Sequence, residues 1–281
     1  MTFYGVRGSC PCSGEQYVRY GGNTACVSVE TAHEPPIVLD LGTGLRPLGH
    51  DIEARHGIDA PVDLTAFLTH LHWDHIIGLP FCRPVLRLGG TMEIFGPPQE
   101  HGTLGEVMDR VVVPPYFPVQ VGDLHGKVTF SEVSDDVVPI GSAKVTVRRV
   151  PHVGTTLGFR IDADGCSVAY VSDHQAPRDR SVIADNVLEL CDRADLVIHD
   201  AQYTEEEFAA KATWGHSTFS YAVHVAAEAG ARRLALFHHD PVHTDDDMDR
   251  LLETSLGHPG ASCLHSVLAA EEGMSLDLAS R

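Results

Sequence analysis

An α/β fold is predicted for this 281-residue chain, because apolar, strand-like runs alternate with helix-like segments and polar residues able to hold a metal recur at the ends of those runs. The densest group is Thr69-His70-Leu71-His72-Trp73-Asp74-His75, which directly follows the apolar run Val62 to Leu68 and precedes Ile76-Ile77-Gly78-Leu79-Pro80. A cluster placed where a buried strand ends and a short helix starts lies where α/β folds carry their sites.

The other elements can be read in order. Gly5 to Gly22, rich in Gly, Ser and Pro, reads as a glycine loop feeding a first sheet, with a strand over Asn23 to Glu30. Pro36 to Gly44 is a buried strand entering a tight turn, and Leu45 to His56 reads as a helix. From Phe81 to Gly126 prolines break the pattern, and only a strand near Met92 to Phe95 is assigned; this stretch is expected to form a lid-like segment. Within it, Tyr116 and Phe117 sit among prolines as a pocket wall or a packed corner. Lys144 to Val150 is a strand ending at Pro151-His152. Thr155 to Ile161 and Cys166 to Ser172 flank a hairpin turn at Asp162-Ala163-Asp164-Gly165, and the second arm delivers Asp173. Arg178 to Cys191 reads as a helix, and Asp195 to Ile198 as a strand delivering His199-Asp200. Ser217 to Ala229 reads as a helix capped by Ser217, which sets His216 just ahead of its N-terminus. Arg233 to Phe237 ends in His238-His239, and Thr244 opens a helix to Leu256 with a capping-box pattern.

No linker divides the chain, so residues 1–281 are expected to form one domain. A net charge of −19 opposes any partner bound by neutralising phosphates, which excludes a long nucleic acid as the expected ligand. The opening Met1-Thr2-Phe3-Tyr4-Gly5 has neither a basic nor an apolar leader region, and no apolar run is long enough to span a bilayer. Seven scattered cysteines suit reduced thiols, so a cytoplasmic location without membrane partners is expected. The Cys10-Pro11-Cys12 pair lacks a second thiol pair at zinc-ribbon spacing.

Imidazoles at i, i+2 and i+5 with a carboxylate at i+4 suit a tight turn aiming nitrogen and oxygen ligands at one or two metal ions. Without thiolate this donor set favours zinc and admits manganese or iron. The pattern should arise by chance in roughly one such His-rich chain in 200, so chance explains it poorly. Later strand ends supply further candidates: His152, Asp173, and His238 or its neighbour His239.

The motif resembles the metal signature of the metallo-β-lactamase superfamily, and the resemblance spans Gly5-Val6-Arg7-Gly8-Ser9 to His238. Pro151-His152-Val153 in place of a longer glycine-rich motif, together with Trp214-Gly215-His216-Ser217-Thr218, resembles the branch of ribonuclease Z and the cyclic phosphate phosphodiesterases. That resemblance implies an αββα sandwich of two mixed sheets flanked by helices. It implies one ion on His70, His72 and His152, a second on Asp74, His75 and His238, and Asp173 bridging them. Asp40 would brace the metal loop without touching metal, and a homodimer is usual. The implied activity is hydrolysis of a small phosphodiester, such as a cyclic nucleotide, by a metal-bridging hydroxide. Asp74 would orient that nucleophile and His216 would act at the scissile phosphate. His199 and Asp200 are either outer partners of the metal site or plain loop residues. Rival readings are an acyl hydrolase on the same metals and a non-catalytic metabolite-binding relative. Many ribonuclease Z enzymes grip tRNA with an arm between the third histidine and the bridging aspartate; here the 21-residue step from His152 to Asp173 is filled by a hairpin.

Overall fold

The computed structural model describes residues 1–32, 35–58 and 60–279. Its first half builds a six-stranded sheet in spatial order β1 (Thr2–Gly5), β2 (Cys26–Val29), β3 (Ile37–Leu39), β4 (Asp63–Phe67), β5 (Thr91–Gly96) and β6 (Lys127–Glu132). β1 to β3 run antiparallel, while β3 to β6 are parallel. The second half builds a seven-stranded sheet. Its order is β13 (Ser266–Ala269), β12 (Arg233–Phe237), β11 (Leu196–Asp200), β10 (Cys166–Val171), β9 (Thr156–Ala163), β8 (Ala143–Val150) and β7 (Val137–Ile140). β10 to β13 are parallel and β7 to β10 antiparallel. Both sheets are therefore mixed, and Pro139 is tolerated because β7 is an edge strand.

Strands buried on both faces read as continuous apolar runs, which is why Ile37–Leu39 and Leu196–Ile198 lack a polar alternation. Inner faces meet in one apolar layer: Phe3 lies 6.0 Å from Phe237, and Phe67 of β4 meets Phe159 of β9 edge-on at 5.4 Å. Each such side chain contributes roughly 1.5–3 kcal/mol by leaving water. Outside the first sheet pack α1 (Leu45–His56) and α3 (Leu104–Val111); outside the second pack α4 (Asp185–Cys191), α6 (Phe219–Glu228) and α7 (Asp245–Leu256). The architecture is the expected αββα sandwich.

Local sequence explains several elements. α1 buries Leu45, Leu48 and Ile52, spaced at one helical face. α7 starts at Thr244, whose hydroxyl accepts from Asp247 N while Asp247 reaches back to Thr244 N. The β9–β10 hairpin turns on Asp164 (φ 52°) and Gly165 (φ 76°), the two positive dihedrals a type I′ turn needs.

Three expectations need correction. The helix expected over Arg178 to Cys191 begins only at Asp185, because Asp179 turns the preceding chain by accepting from Ser181 N and Oγ. The cap of α6 is Thr218 rather than Ser217; Thr218 Oγ1 accepts from Tyr221 N, whereas Ser217 N is committed to Asp200. The irregular stretch holds a capped helix, α3, that was not anticipated. There, Tyr116 is 76% exposed, while Phe117 packs edge-on against Phe81 at 5.8 Å. Among the described residues no helix is long and apolar enough to cross a membrane.

Candidate metal centre

The site forms where strands of both sheets end. β4 hands over to Thr69 and the histidine loop, which enters α2 (Trp73–Ile76); β8 ends before His152, β10 before Asp173, and β12 before His238. Asp173 (φ 55°), His238 (φ 62°) and Asp40 (φ 60°) all adopt left-handed backbone. Non-glycine residues rarely do so, and such strain gathers at functional sites.

Side-chain atoms of His70, His72, His152 and Asp173 converge, as do those of Asp74, His75 and His238, all within 4.8 Å in each set. Asp173 joins the two sets with different oxygens. Its Oδ1 faces His70 Nε2 (3.7 Å) and His152 Nε2 (3.9 Å), and its Oδ2 faces His75 Nε2 (3.0 Å) and His238 Nε2 (3.1 Å). Asp74 Oδ2 stands 3.3 Å from His75 Nε2 and 3.2 Å from His238 Nε2. Donor atoms bound tetrahedrally at about 2.0–2.1 Å stand about 3.3–3.4 Å apart, so these spacings suit a divalent ion held by nitrogen and oxygen.

The second ring nitrogens of these histidines are held by other partners. His75 Nδ1 donates to Asp40 Oδ2 (2.8 Å), His152 Nδ1 to Gly215 O (2.7 Å) and His238 Nδ1 to Gln202 Oε1 (2.9 Å). His70 Nδ1 meets Thr69 Oγ1 at 3.0 Å, and its Nε2 is buried without a hydrogen-bond partner. In the neutral ring each Nε2 is then free to present a lone pair to the centre, the arrangement outer partners impose on metal-binding histidines. His72 presents Nδ1, 3.5 Å from His152 Nε2.

Electrostatics agree. Burial holds His70, His72 and His152 below the usual histidine range, in the neutral form that ligates. Burial opposes charge on Asp74 and Asp173, yet the surrounding histidines hold both carboxyls well below their usual range. At His75 and His238 burial favours the neutral ring, but the adjacent carboxylates outweigh it and raise both. Two buried carboxylates thus draw positive charge into the centre, and the donor set fits divalent ions.

Asp40 is fully buried and touches no ligand nitrogen that faces the centre. It accepts from Thr69 N (2.8 Å), Thr69 Oγ1 (2.9 Å), His75 Nδ1 and Tyr170 OH (2.8 Å), which braces the loop as expected. His216 lies between the two sets, its ring stacked on His238 at 5.1 Å and tilted against His152 at 5.7 Å. Its Nδ1 donates to Asp200 Oδ2 (2.8 Å), and Asp200 Oδ1 in turn accepts from Ser217 N (2.9 Å) and Gln202 N (3.1 Å). Asp200 is therefore an outer partner. His199 is not, being tied in the core to His174 (3.0 Å) and Asp200 O (2.7 Å). His239 also points away, donating to Ala270 O, so His238 is the residue the centre receives.

Sequence reasoning missed three contributors. Gln202 fixes His238, and Ser9 N donates to Asp74 Oδ2 (2.6 Å). The third is Gly215, where a Cβ would lie 2.3 Å from His152 Cε1. Gly8-Ser9 and Gly215 stood inside quoted motifs; Gln202 carried no signal.

Residues 38–239 match the family model of the beta-lactamase superfamily domain. A ribonuclease Z of Natronomonas pharaonis is 30% identical, over 85% of this chain and 86% of its own. Among solved structures, human tRNase Z, short form, superposes with a TM-score of 0.67 at 21% identity, covering 99% of this chain and 98% of that one. A diphosphatase from the PhnP family gives 0.67 at 19% identity, with 98% and 96% covered. Fold, donor geometry and sequence agree that the chain belongs to the metallo-β-lactamase superfamily, in the branch that contains ribonuclease Z.

Proposed function

We propose that the chain is a dinuclear metal-dependent hydrolase that cleaves a small phosphodiester, with zinc as the ion. The observation that carries this reading is Asp173, whose two carboxylate oxygens each face a separate set of donors, with the Asp200-held His216 between the sets. His70, His72 and His152 would hold one ion, Asp74, His75 and His238 the other. Two ions held there would supply a water ionised at neutral pH and positive charge for the phosphate oxygens.

The chain's own residues do the rest. Asp74, fixed by Ser9 N, accepts a hydrogen bond from the attacking water and orients it. With Nδ1 donated to Asp200, His216 keeps Nε2 for the substrate; with a proton on Nε2 as well, it would pass that proton to the leaving oxygen and return to the neutral ring with its proton on Nδ1. Asp200 fixes the ring and its Nδ1 proton.

A small substrate is favoured over precursor tRNA on two grounds. The His152-to-Asp173 interval is a tight hairpin, β9–β10, with no arm, and the net charge of −19 repels a polyanion. The test is turnover by metal-quantified protein on a cyclic mononucleotide, an aryl phosphodiester, a lactone and a precursor tRNA. Turnover of the two phosphodiesters above the others is expected. Preference for the lactone or the tRNA would overturn the reading.

A further inference from the structure

We propose that Trp73 and Trp214 form an aromatic rim at the mouth of the metal centre that stacks on the nucleobase of the substrate. This rests on the phosphodiester reading and narrows it to nucleotide phosphodiesters. His75, His238, Asp173 and the side chain of His152 are buried, whereas His72 is exposed. A substrate phosphate would therefore reach the centre past His72.

Both tryptophans of the chain are anchored there. Trp73 lies between His72 and Asp74, one candidate ligand from each set, so its Cα is about 3.8 Å from each neighbour's. Trp214 precedes Gly215, whose carbonyl holds His152, and stands two residues before His216. Their backbones are fixed by bonds from Ile77 N to Trp73 O (3.0 Å), Trp214 N to Lys211 O (2.9 Å) and Gly215 N to Gln175 Oε1 (2.7 Å).

The rings are nonetheless 63% and 62% exposed, whereas Phe3, Phe67, Phe159, Tyr170 and Phe237 are buried between the sheets. Leaving two indoles in water forgoes much of the largest apolar gain a side chain offers, and each is one or two residues from a histidine of the centre. Lys211 adds a cation beside this wall, its Nζ 5.7 Å from the Trp214 ring, 4.5 Å from Tyr203 and 3.3 Å from Asp240 Oδ2. Stacking on indole is tolerant of base identity, so the rim selects for the presence of a base and little among bases.

The chain's having two tryptophans makes the rim directly observable, independently of activity. Adenosine 5′-monophosphate and ribose 5-phosphate, equal in charge and differing by the base, are titrated into the metal-loaded protein while indole emission is followed. The nucleotide should quench saturably and the sugar phosphate should not; Trp73→Phe and Trp214→Phe should each remove part of the response. In parallel, Trp73→Ala and Trp214→Ala should raise KM for a cyclic nucleotide on the order of ten-fold and leave KM for a base-free cyclic phosphate unchanged. Equal quenching by both probes, no quenching by the nucleotide, or equal KM changes on both diesters overturns the rim. If neither diester is turned over, the phosphodiester reading falls, and the quenching alone decides the rim.

Discussion

Replacing Gly215 with alanine tests whether the loop before His216 sets the third histidine. Gly215 has φ +98°, and an added Cβ would meet His152 Cε1 at 2.3 Å and Nδ1 at 2.4 Å, against ordinary contact from 3.4 Å. The ring must retreat by about 1 Å, roughly half the length of a zinc–nitrogen bond. The 2.7 Å bond from His152 Nδ1 to Gly215 O is broken in the process. Losing such an outer partner costs metal affinity about 10- to 100-fold. The left-handed backbone adds roughly 1–2 kcal/mol of strain for a residue with a Cβ. Gly165→Ala is the control, since Gly165 also has positive φ (+76°) but nothing lies within 4 Å of its Cβ. Both variants should lose similar stability in urea, while only Gly215→Ala should need 10- to 100-fold more zinc to fill its weaker site in competition with a chelator. Equal zinc affinity in the two variants would refute the reasoning.

Two further outcomes are expected. His216→Ala should keep both ions, because the side chain is held by Asp200 and not needed as a ligand, yet kcat on a cyclic nucleotide should fall about 10²–10⁴-fold, and less on an aryl diester whose leaving group needs no proton; unchanged kcat on both would remove His216 from the chemistry. Asp40→Ala should destabilise the metal-free protein by about 3–5 kcal/mol in denaturant, because it strands the buried donors of Thr69, His75 and Tyr170; a loss under about 1 kcal/mol would show that Asp40 does not brace the loop.

Elements with their own local punctuation were legible in the sequence. Leu45 to His56 and Thr244 to Leu256 carry an apolar face or a capping box, and both helices form within those limits. The same signal was present and unused at Thr103-Glu106 and Thr204-Glu207, whose capping boxes start α3 and α5 (Glu205–Lys211). Ser217 misled because serine is a good cap in isolation; tertiary demand for its N–H by Asp200 moved the cap one residue on. At the centre, the histidine loop could be read because its donors are adjacent in sequence. Gln202 could not, since its bond to His238 spans 36 residues and depends on the parallel register of β11 and β12. His238 and His239 were indistinguishable as letters; the β12 strand end and the bond from His239 Nε2 to Ala270 O separate them.

The central claim is that Asp173 joins two ion sites into one reactive centre. It is tested most directly by adding zinc stepwise to metal-free protein and reading bound metal and phosphodiester turnover on the same samples. Turnover should reach its plateau at about two ions per chain, and Asp173→Ala should abolish it and lower metal content. A plateau at one ion per chain, or an Asp173→Ala protein that binds two ions and retains turnover, would contradict it.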